Sequence, residues 1–176
     1  MKIRKAKNFD LDGVASIYEE IHDAEAAHKI TTGWIKGIYP TKDTAAAALQ
    51  RGDLFVMEED GRIIGAALIN QIQVDVYEGA PWRYDGDVCV LHTLVISTKA
   101  QGKGAGRKFI KFYEDYARDH GWYELRIDTN ERNTRARELY AGMGYEEIAV
   151  VPAVFNGIPN VNLVLLEKNL ADKGNS

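Results

Sequence analysis

The sequence predicts a single mixed α/β domain, a mostly antiparallel sheet of about six to seven strands flanked by about four helices. Three observations predict it. Asp60-Gly61 separates two apolar runs, residues 54–57 and 63–72, and marks an early antiparallel hairpin, because glycine takes the positive φ of such a turn at little cost. A β-branched apolar run, residues 88–96, leads through a glycine-rich turn into an amphipathic helix. Beyond that helix, apolar segments alternate with a short helical stretch and with a second turn pair, Asn156-Gly157.

Taken in order, residues 2–7 open as a short strand, and Asp10 is placed to cap a helix carrying Leu11, Val14, Ile17, Tyr18 and Ile21 on one face. Residues 31–40 mix Gly33, Gly37 and Pro40 with Trp34, Ile35, Ile38 and Tyr39, so an irregular segment rich in large apolar side chains is expected there. Thr41 or Asp43 caps a second helix through the alanine run 45–48, which Gly52 follows. The hairpin comes next, then a loop over residues 77–87, then the central strand 88–96. The helix from Ala105 to His120 carries Phe109, Phe112, Tyr113, Tyr116 and Ala117 at helical spacing, with Gly121 as its terminator. Residues 123–128 return as a strand, and Asn133 or Thr134 caps a short helix with Ala136, Leu139, Tyr140 and Met143, ended by Gly144. Strands at 145–151 and 161–167 complete the sheet.

Composition narrows the function before any motif is considered. The 176 residues are 45% hydrophobic and 27% charged, close to globular averages and enough for a core over residues 1–171, with a polar tail at 172–176. A net charge of −4 disfavours a chain whose main task is to coat nucleic acid or an anionic membrane. Cys89 is the only cysteine, which excludes an internal disulfide framework and a thiolate zinc site, so no metal is expected. The first residues hold no apolar run of signal-peptide length, and the expectation is a cytoplasmic protein.

Chemistry concentrates where the central strand meets the following helix, in Gln101-Gly102-Lys103-Gly104-Ala105-Gly106. Peptide N–H groups at a helix start lack partners and carry about half a positive charge between them, so they hold phosphate where no side chain intervenes. The three glycines remove that obstruction, and Lys103, Arg107 and Lys108 add positive charge. A dinucleotide fingerprint fails here, because Arg107 or Phe109 stands where its third glycine belongs, and a phosphate loop fails at Arg107 too. A ligand-free glycine turn is the alternative.

The pattern Gln101-x-x-Gly104-x-Gly106 after Leu94-Val95-Ile96 resembles the acetyl-CoA motif of GNAT N-acetyltransferases. Asn133, Ala136, Leu139, Tyr140, Gly144 and Tyr145 are similar to that family's second signature, and the opening Ile3-Arg4-Lys5-Ala6 with Asp10 and Asp12 also resembles it. The resemblance implies a sheet splayed at its central parallel strands. It implies a pyrophosphate on the amides of about Gln101 to Gly106, pantetheine along Leu94, Val95 and Ile96, and contact from Asn133, with no metal. It makes a homodimer one assembly to expect.

For acetyl transfer to an amine, a backbone N–H near Leu94 or Val95 could stabilise the oxyanion. Tyr140 matches the family position that protonates the departing thiolate; helical spacing alone would make it a buried tyrosine. His92, expected to share the facing of Leu94, is a candidate base, with a hydrogen-bonded core histidine as the alternative and Asp87 or Glu58 as competitors. Cys89 sits on the opposite face from His92, which leaves it a structural thiol. Trp34 and Tyr39, with Trp82 and Tyr84, fall where this family lines its acceptor site, and Glu78, Asp85 and Asp87 could favour a cation. The loop 152–159 could close the same site. A small-molecule amine is the expected acceptor; a protein N-terminus or lysine, and a non-catalytic acetyl-CoA-binding module, are the competing readings.

Overall fold

A computed structural model describes residues 1–171; the tail at 172–176 lies outside the described residues. Strands β1 (Lys2–Lys5), β2 (Leu54–Glu59), β3 (Arg62–Asn70), β4 (Val88–Ile96), β5 (Glu124–Asn130), β6 (Glu146–Phe155) and β7 (Ile158–Asn169) form one sheet in the order β1-β2-β3-β4-β5-β7-β6. Every neighbouring pair is antiparallel except β4 with β5. Helices α1 (Leu11–Ala26), α2 (Lys42–Arg51), α3 (Ala105–Asp119) and α4 (Thr134–Ala141) cover its two faces.

The turn chemistry explains both hairpins. Asp60 and Gly61 have φ of 49° and 74°, and Asn156 and Gly157 have 48° and 85°, the doubly positive pair whose twist matches that of the flanking strands. Phe155 consequently pairs with Ile158, so the segment read as a closing loop, 152–159, is a hairpin whose strands are longer than periodicity alone marks.

One face of the sheet carries the apolar stripe of α3. Phe109, Ile110, Tyr113 and Ala117 pack on Phe55, Ala67, Cys89, Leu125 and Val164, together with Tyr140 and Tyr145. On the other face Val14, Ile17, Tyr18 and Ile21 of α1 and Ala45 and Ala48 of α2 pack on Leu54, Val56, Ala66 and Leu68. On the rest of that face Val88 and Val90 of β4 and Val161, Leu163 and Leu165 of β7 cluster with Tyr77 of the 71–87 connection.

The start of α1 departs from the expected cap. Asp10 adopts helical φ and ψ of −83° and −17°; its carboxylate instead accepts the Lys7 N–H at 2.7 Å and two bonds from Arg4 at 2.7 and 3.0 Å. Arg4 also reaches Glu58 at 2.8 Å. A buried carboxylate is better satisfied by a bidentate guanidinium than by a single amide, and this charge cluster outcompetes the simple cap. At α2, Thr41 is the cap residue, its N–H bonded to Thr44 Oγ1 at 3.0 Å.

Candidate active site

The site begins where the parallel pair separates. Pairing of β4 with β5 runs from Val88 opposite Glu124 to Leu91 opposite Ile127 and stops, while β4 stays paired with β3 as far as Ile96. The divergence coincides with an irregularity at Thr93, whose φ of 51° is left-handed and costly for a β-branched residue. Its hydroxyl is held by the Tyr39 phenol.

This bulge changes the phase of the strand. Cys89, Leu91, Leu94 and Ile96 all meet the core beneath α3, whereas Val88 and Val90 lie on the opposite face and so does Val95. His92 therefore does not share the face of Leu94, as uninterrupted alternation predicts; an extra residue in a strand reverses every side chain beyond it.

Past the bulge, the glycine turn opens onto a cavity of about 570 Å³. Leu94, Val95, Ile96, Gln101, Gly102, Gly104, Ala105, Gly106, Arg107, Asn133 and Tyr140 line it, and Lys103 does not. Gly102 and Gly104 have φ of 79° and 76°, and a Cβ built on either meets nothing within 4 Å. The volume that side chains would take stays open beside the first peptide nitrogens of α3, which suits a diphosphate. Gly106 has a different role: a Cβ there would lie 3.1 Å from Leu139 Cδ2, so this glycine lets α3 approach α4. Gln101 is a tie, its Nε2 donating to the Ile96 carbonyl at 3.1 Å and its Oε1 accepting from Arg135 at 2.7 Å. Arg107 is anchored to the Gly142 carbonyl at 3.2 Å and Lys108 to the Met1 carbonyl at 2.5 Å. Lys29 and Arg135, which the sequence reading missed, line the cavity as well. Asn133 caps α4, its Oδ1 accepting from Ala136 N at 3.3 Å.

A second cavity of about 590 Å³ lies on the other side of the splay. The two share Thr32, Trp34, Leu94, Asn133, Ala136 and Tyr140, so they adjoin at the β4–α4 gap. Trp34, Tyr39 and Phe155 make an edge-to-face series along this second wall, with centroids 6.0 and 5.4 Å apart. The segment bearing Trp34 is docked on the end of β5: Thr31 Oγ1 donates to the Arg132 carbonyl at 2.7 Å, and a Cβ on Gly33 would fall 2.3 Å from Asn130 Nδ2.

Trp82 and Tyr84 line neither cavity. The Trp82 ring stacks under the Arg126 guanidinium at 4.0 Å and lies 5.0 Å from the Tyr77 ring. It acts one layer back, because the Tyr77 phenol donates to Asp128 at 2.7 Å. Glu78, Asp85 and Asp87 are exposed and absent from both linings, and Glu58 is committed to Arg4.

Asp128 is the residue the sequence reading missed. It is the first β5 residue beyond the last pair with β4, so it faces the gap, and it lines the second cavity together with Tyr140 and Thr129. Burial pushes its carboxyl up to about 6, against the pull of the Tyr77 hydrogen bond. The available signal was a lone carboxylate following the apolar Leu125 and Ile127 in a strand. His92 also lines this cavity, but burial pulls its imidazole down to about 4. Its Nε2 bonds Asn70 Oδ1 at 3.0 Å; because Asn70 Nδ2 already donates to Asp53 at 2.8 Å, Nε2 must be the donor. The Cys89 thiol is buried and raised to about 12, which suits a packing role. Burial also raises the Tyr140 phenol, keeping it protonated, and it makes no hydrogen bond among the described residues.

Among the described residues no group of three or more His, Cys, Asp or Glu side chains could hold a metal ion, and no helix is long and apolar enough to cross a membrane.

Comparison with known proteins agrees with this geometry. The sequence profile of the Acetyltransferase (GNAT) family matches residues 15–145. The chain is similar to the uncharacterized N-acetyltransferase YhfO of Bacillus subtilis, 26% identical over 150 residues that span 84% of this chain and 91% of that protein. Among solved structures it shares its fold with a GNAT-family acetyltransferase of Streptococcus agalactiae, at a TM-score of 0.77 and 23% identity over 96% and 94% of the two chains. It likewise shares the fold of yncA of Salmonella typhimurium, solved with its cofactor acetyl-CoA, at 0.68 and 22% over 99% and 96%. With the glycine cradle at the mouth of α3, the splayed β4–β5 pair and a profile match over most of its length, the chain belongs to the GNAT family of acetyl-CoA-dependent N-acetyltransferases.

Proposed function

We propose that the chain acetylates the primary amine of a small molecule by direct attack within a ternary complex. The observation that carries this reading is the second cavity of about 590 Å³, walled by Trp34, Tyr39 and Phe155 and adjoining the glycine-turn cavity at Leu94 and Tyr140. Its volume lies in the range of small-molecule sites; an acceptor presented on a protein surface calls for an open groove.

Acetyl-CoA supplies the acetyl thioester, for which the amides of Gln101 to Gly106 and the unpaired edge of residues 94–96 would be the seat. An alkyl amine with a pKa of about 10 attacks only as its free base, the minor form at neutral pH, and its nitrogen must then shed a proton as the C–N bond forms. We assign that proton to Asp128 in place of His92, because a carboxyl near 6 is mostly ionised at pH 7, whereas an imidazole near 4 binds protons feebly and its Nε2 is occupied by Asn70. The C–N bond forms as the C–S bond breaks, Asp128 holds the amine's proton, and the Tyr140 phenol gives its own to the sulfur. A backbone N–H near Leu94 or Val95 would stabilise the charge developing on the carbonyl oxygen. Tyr77, locked on Asp128 and backed by Trp82, keeps the carboxylate aimed at the gap.

The test is thiol release from acetyl-CoA across small amines and, separately, peptides with free N-termini or lysines. Turnover of small amines is expected. Turnover confined to peptides would overturn the small-acceptor reading, and binding without any turnover would favour a non-catalytic module.

A further inference from the structure

We propose that the amine accepted by this enzyme also carries an anionic group, a carboxylate of the amino-acid type, and that Arg51 is the residue that recognises it. The proposal rests on the small-amine reading above and deepens it.

The charge of the acceptor cavity is sparse and polarised. Its permanently or largely charged lining side chains are one carboxylate, Asp128, and one guanidinium, Arg51. His92 is neutral at physiological pH, and the remaining polar lining is neutral hydroxyl and amide, such as Thr44, Thr93, Asn70 and Asn156. Asp128 is needed for the reacting amine. A diamine or polyamine would bring a second cation into a chamber lined by no second carboxylate, the nearby Asp53 being already committed to Arg51. An acceptor with an anion beside its amine fits both poles.

Arg51 is built as a receiver. It is the last residue of α2, and with Thr44 and Ala47 it forms the helix face that lines the cavity. One edge of its guanidinium is clamped: Nε donates to Asp53 Oδ2 at 2.9 Å and Nη2 to Asp53 Oδ1 at 3.2 Å. Asp53 is 7% exposed and is itself fixed by Asn70 Nδ2 at 2.8 Å. Nη1 has no hydrogen-bond partner among the described residues, and the side chain keeps 43% of its exposure. A planar fork held along one edge leaves the other edge oriented and donating, which is the geometry that guanidinium offers a carboxylate. The same hydrogen-bonded chain continues from Asn70 to His92. The polar cap at this end of the cavity is thus held by the links Arg51–Asp53, Asp53–Asn70 and Asn70–His92, and the aromatic wall of Trp34, Tyr39 and Phe155 is left for the acceptor's apolar part.

The first measurement needs no variant, and the second assigns the preference to Arg51. Thiol release from acetyl-CoA is followed with each of the common L-amino acids and with the matching amino-acid amide, and with a linear diamine. The amide has the less basic amine and so more free base at pH 7.5; on chemical grounds alone it is the better nucleophile. Recognition by Arg51 reverses this order: kcat/KM for the best acid should exceed that for its amide by about 10- to 100-fold, the range of a charge-assisted, doubly hydrogen-bonded contact. In Arg51→Gln the ratio should collapse to about threefold or less, while stabilisation by acetyl-CoA in a thermal melt stays as in the parent. Arg51→Lys, which keeps the charge and the Asp53 pair but not the fork, should retain part of the preference and guards against misfolding of the glutamine variant. Amides or the diamine preferred over acids by the parent, an acid preference unmoved in Arg51→Gln, or no acid turned over while acetyl-CoA still binds would each overturn the proposal. A chain that fails to bind acetyl-CoA at all would overturn the enzyme reading beneath it as well.

Discussion

Replacing Asp128 with asparagine separates catalysis from stability, because the two should move in opposite directions. The side chain keeps its size, and its oxygen can still accept the Tyr77 O–H that now reaches the carboxylate at 2.7 Å. What is lost is a base and a buried charge. A carboxyl raised from 3.8 to about 6 by burial is held in the folded chain at a cost of up to ~3 kcal/mol once ionised. A raised carboxyl binds its proton more tightly folded than unfolded, so the cost is absent below about pH 4, grows as pH climbs through 6, and is complete above about pH 7. Asp128→Asn should therefore melt about 3 to 10 °C higher than the parent at pH 8 and no higher at pH 4. Turnover should fall by about 10²- to 10⁴-fold. In the parent, a log–log plot of kcat/KM against pH should steepen from a slope of about one, from the amine itself, to about two below pH 6; the variant should keep a slope of about one. Differential scanning calorimetry at the two pH values and thiol-release kinetics make the measurements. Wild-type turnover in the variant, or a melting gain that does not depend on pH, would refute the assignment.

Tyr140→Phe should lower kcat by about 10- to 10³-fold with acetyl-CoA affinity held within about twofold, as measured by single-turnover kinetics and calorimetric titration; equal rates would remove the phenol from proton transfer or put chemistry outside the slow step. Gly104→Asp, which sets a carboxylate in the open space beside the α3 amides, should erase the thermal stabilisation that acetyl-CoA confers, and an undiminished shift would disprove the phosphate seat. Arg4→Met strands the Asp10 carboxylate, which is 3% exposed and is held below the usual range chiefly by its hydrogen bonds from Arg4. A lowered carboxyl adds stability above its unfolded pKa and loses it as pH falls, so urea unfolding should show a cost of about 2–4 kcal/mol at pH 7 that shrinks toward pH 3; a cost independent of pH would point to lost packing alone.

Much of the fold was legible in the chain because its signals are local. The Asp60-Gly61 and Asn156-Gly157 turns need only the φ freedom of adjacent residues, and the stripe of α3 needs only helical spacing, so both appear as predicted. The glycine cradle was legible for the same reason: strand, turn and helix start are contiguous. Local rules failed where a distant partner bid for the same group. Asp10 left its capping role because Arg4, itself tied to the distant Glu58, reached it, and Arg107 is held by the end of α4.

Sequence by itself determined the glycine turn at the mouth of α3, since consecutive peptide groups and the glycines between them form that surface. The second cavity, proposed for the acceptor, was decided only in three dimensions. A left-handed residue at Thr93 put Leu94 and His92 on opposite faces, and the parting of β4 from β5 at Leu91 exposed Asp128 to the gap. Burial then set the two groups' proton affinities, moving the imidazole down and the carboxyl up. Trp82 was drawn one layer back onto Arg126 and Tyr77, while Arg51 arrived from a helix about forty residues before β4. Each of these outcomes depends on which segments meet and on how much water their meeting removes, and no window of neighbouring residues contains either quantity.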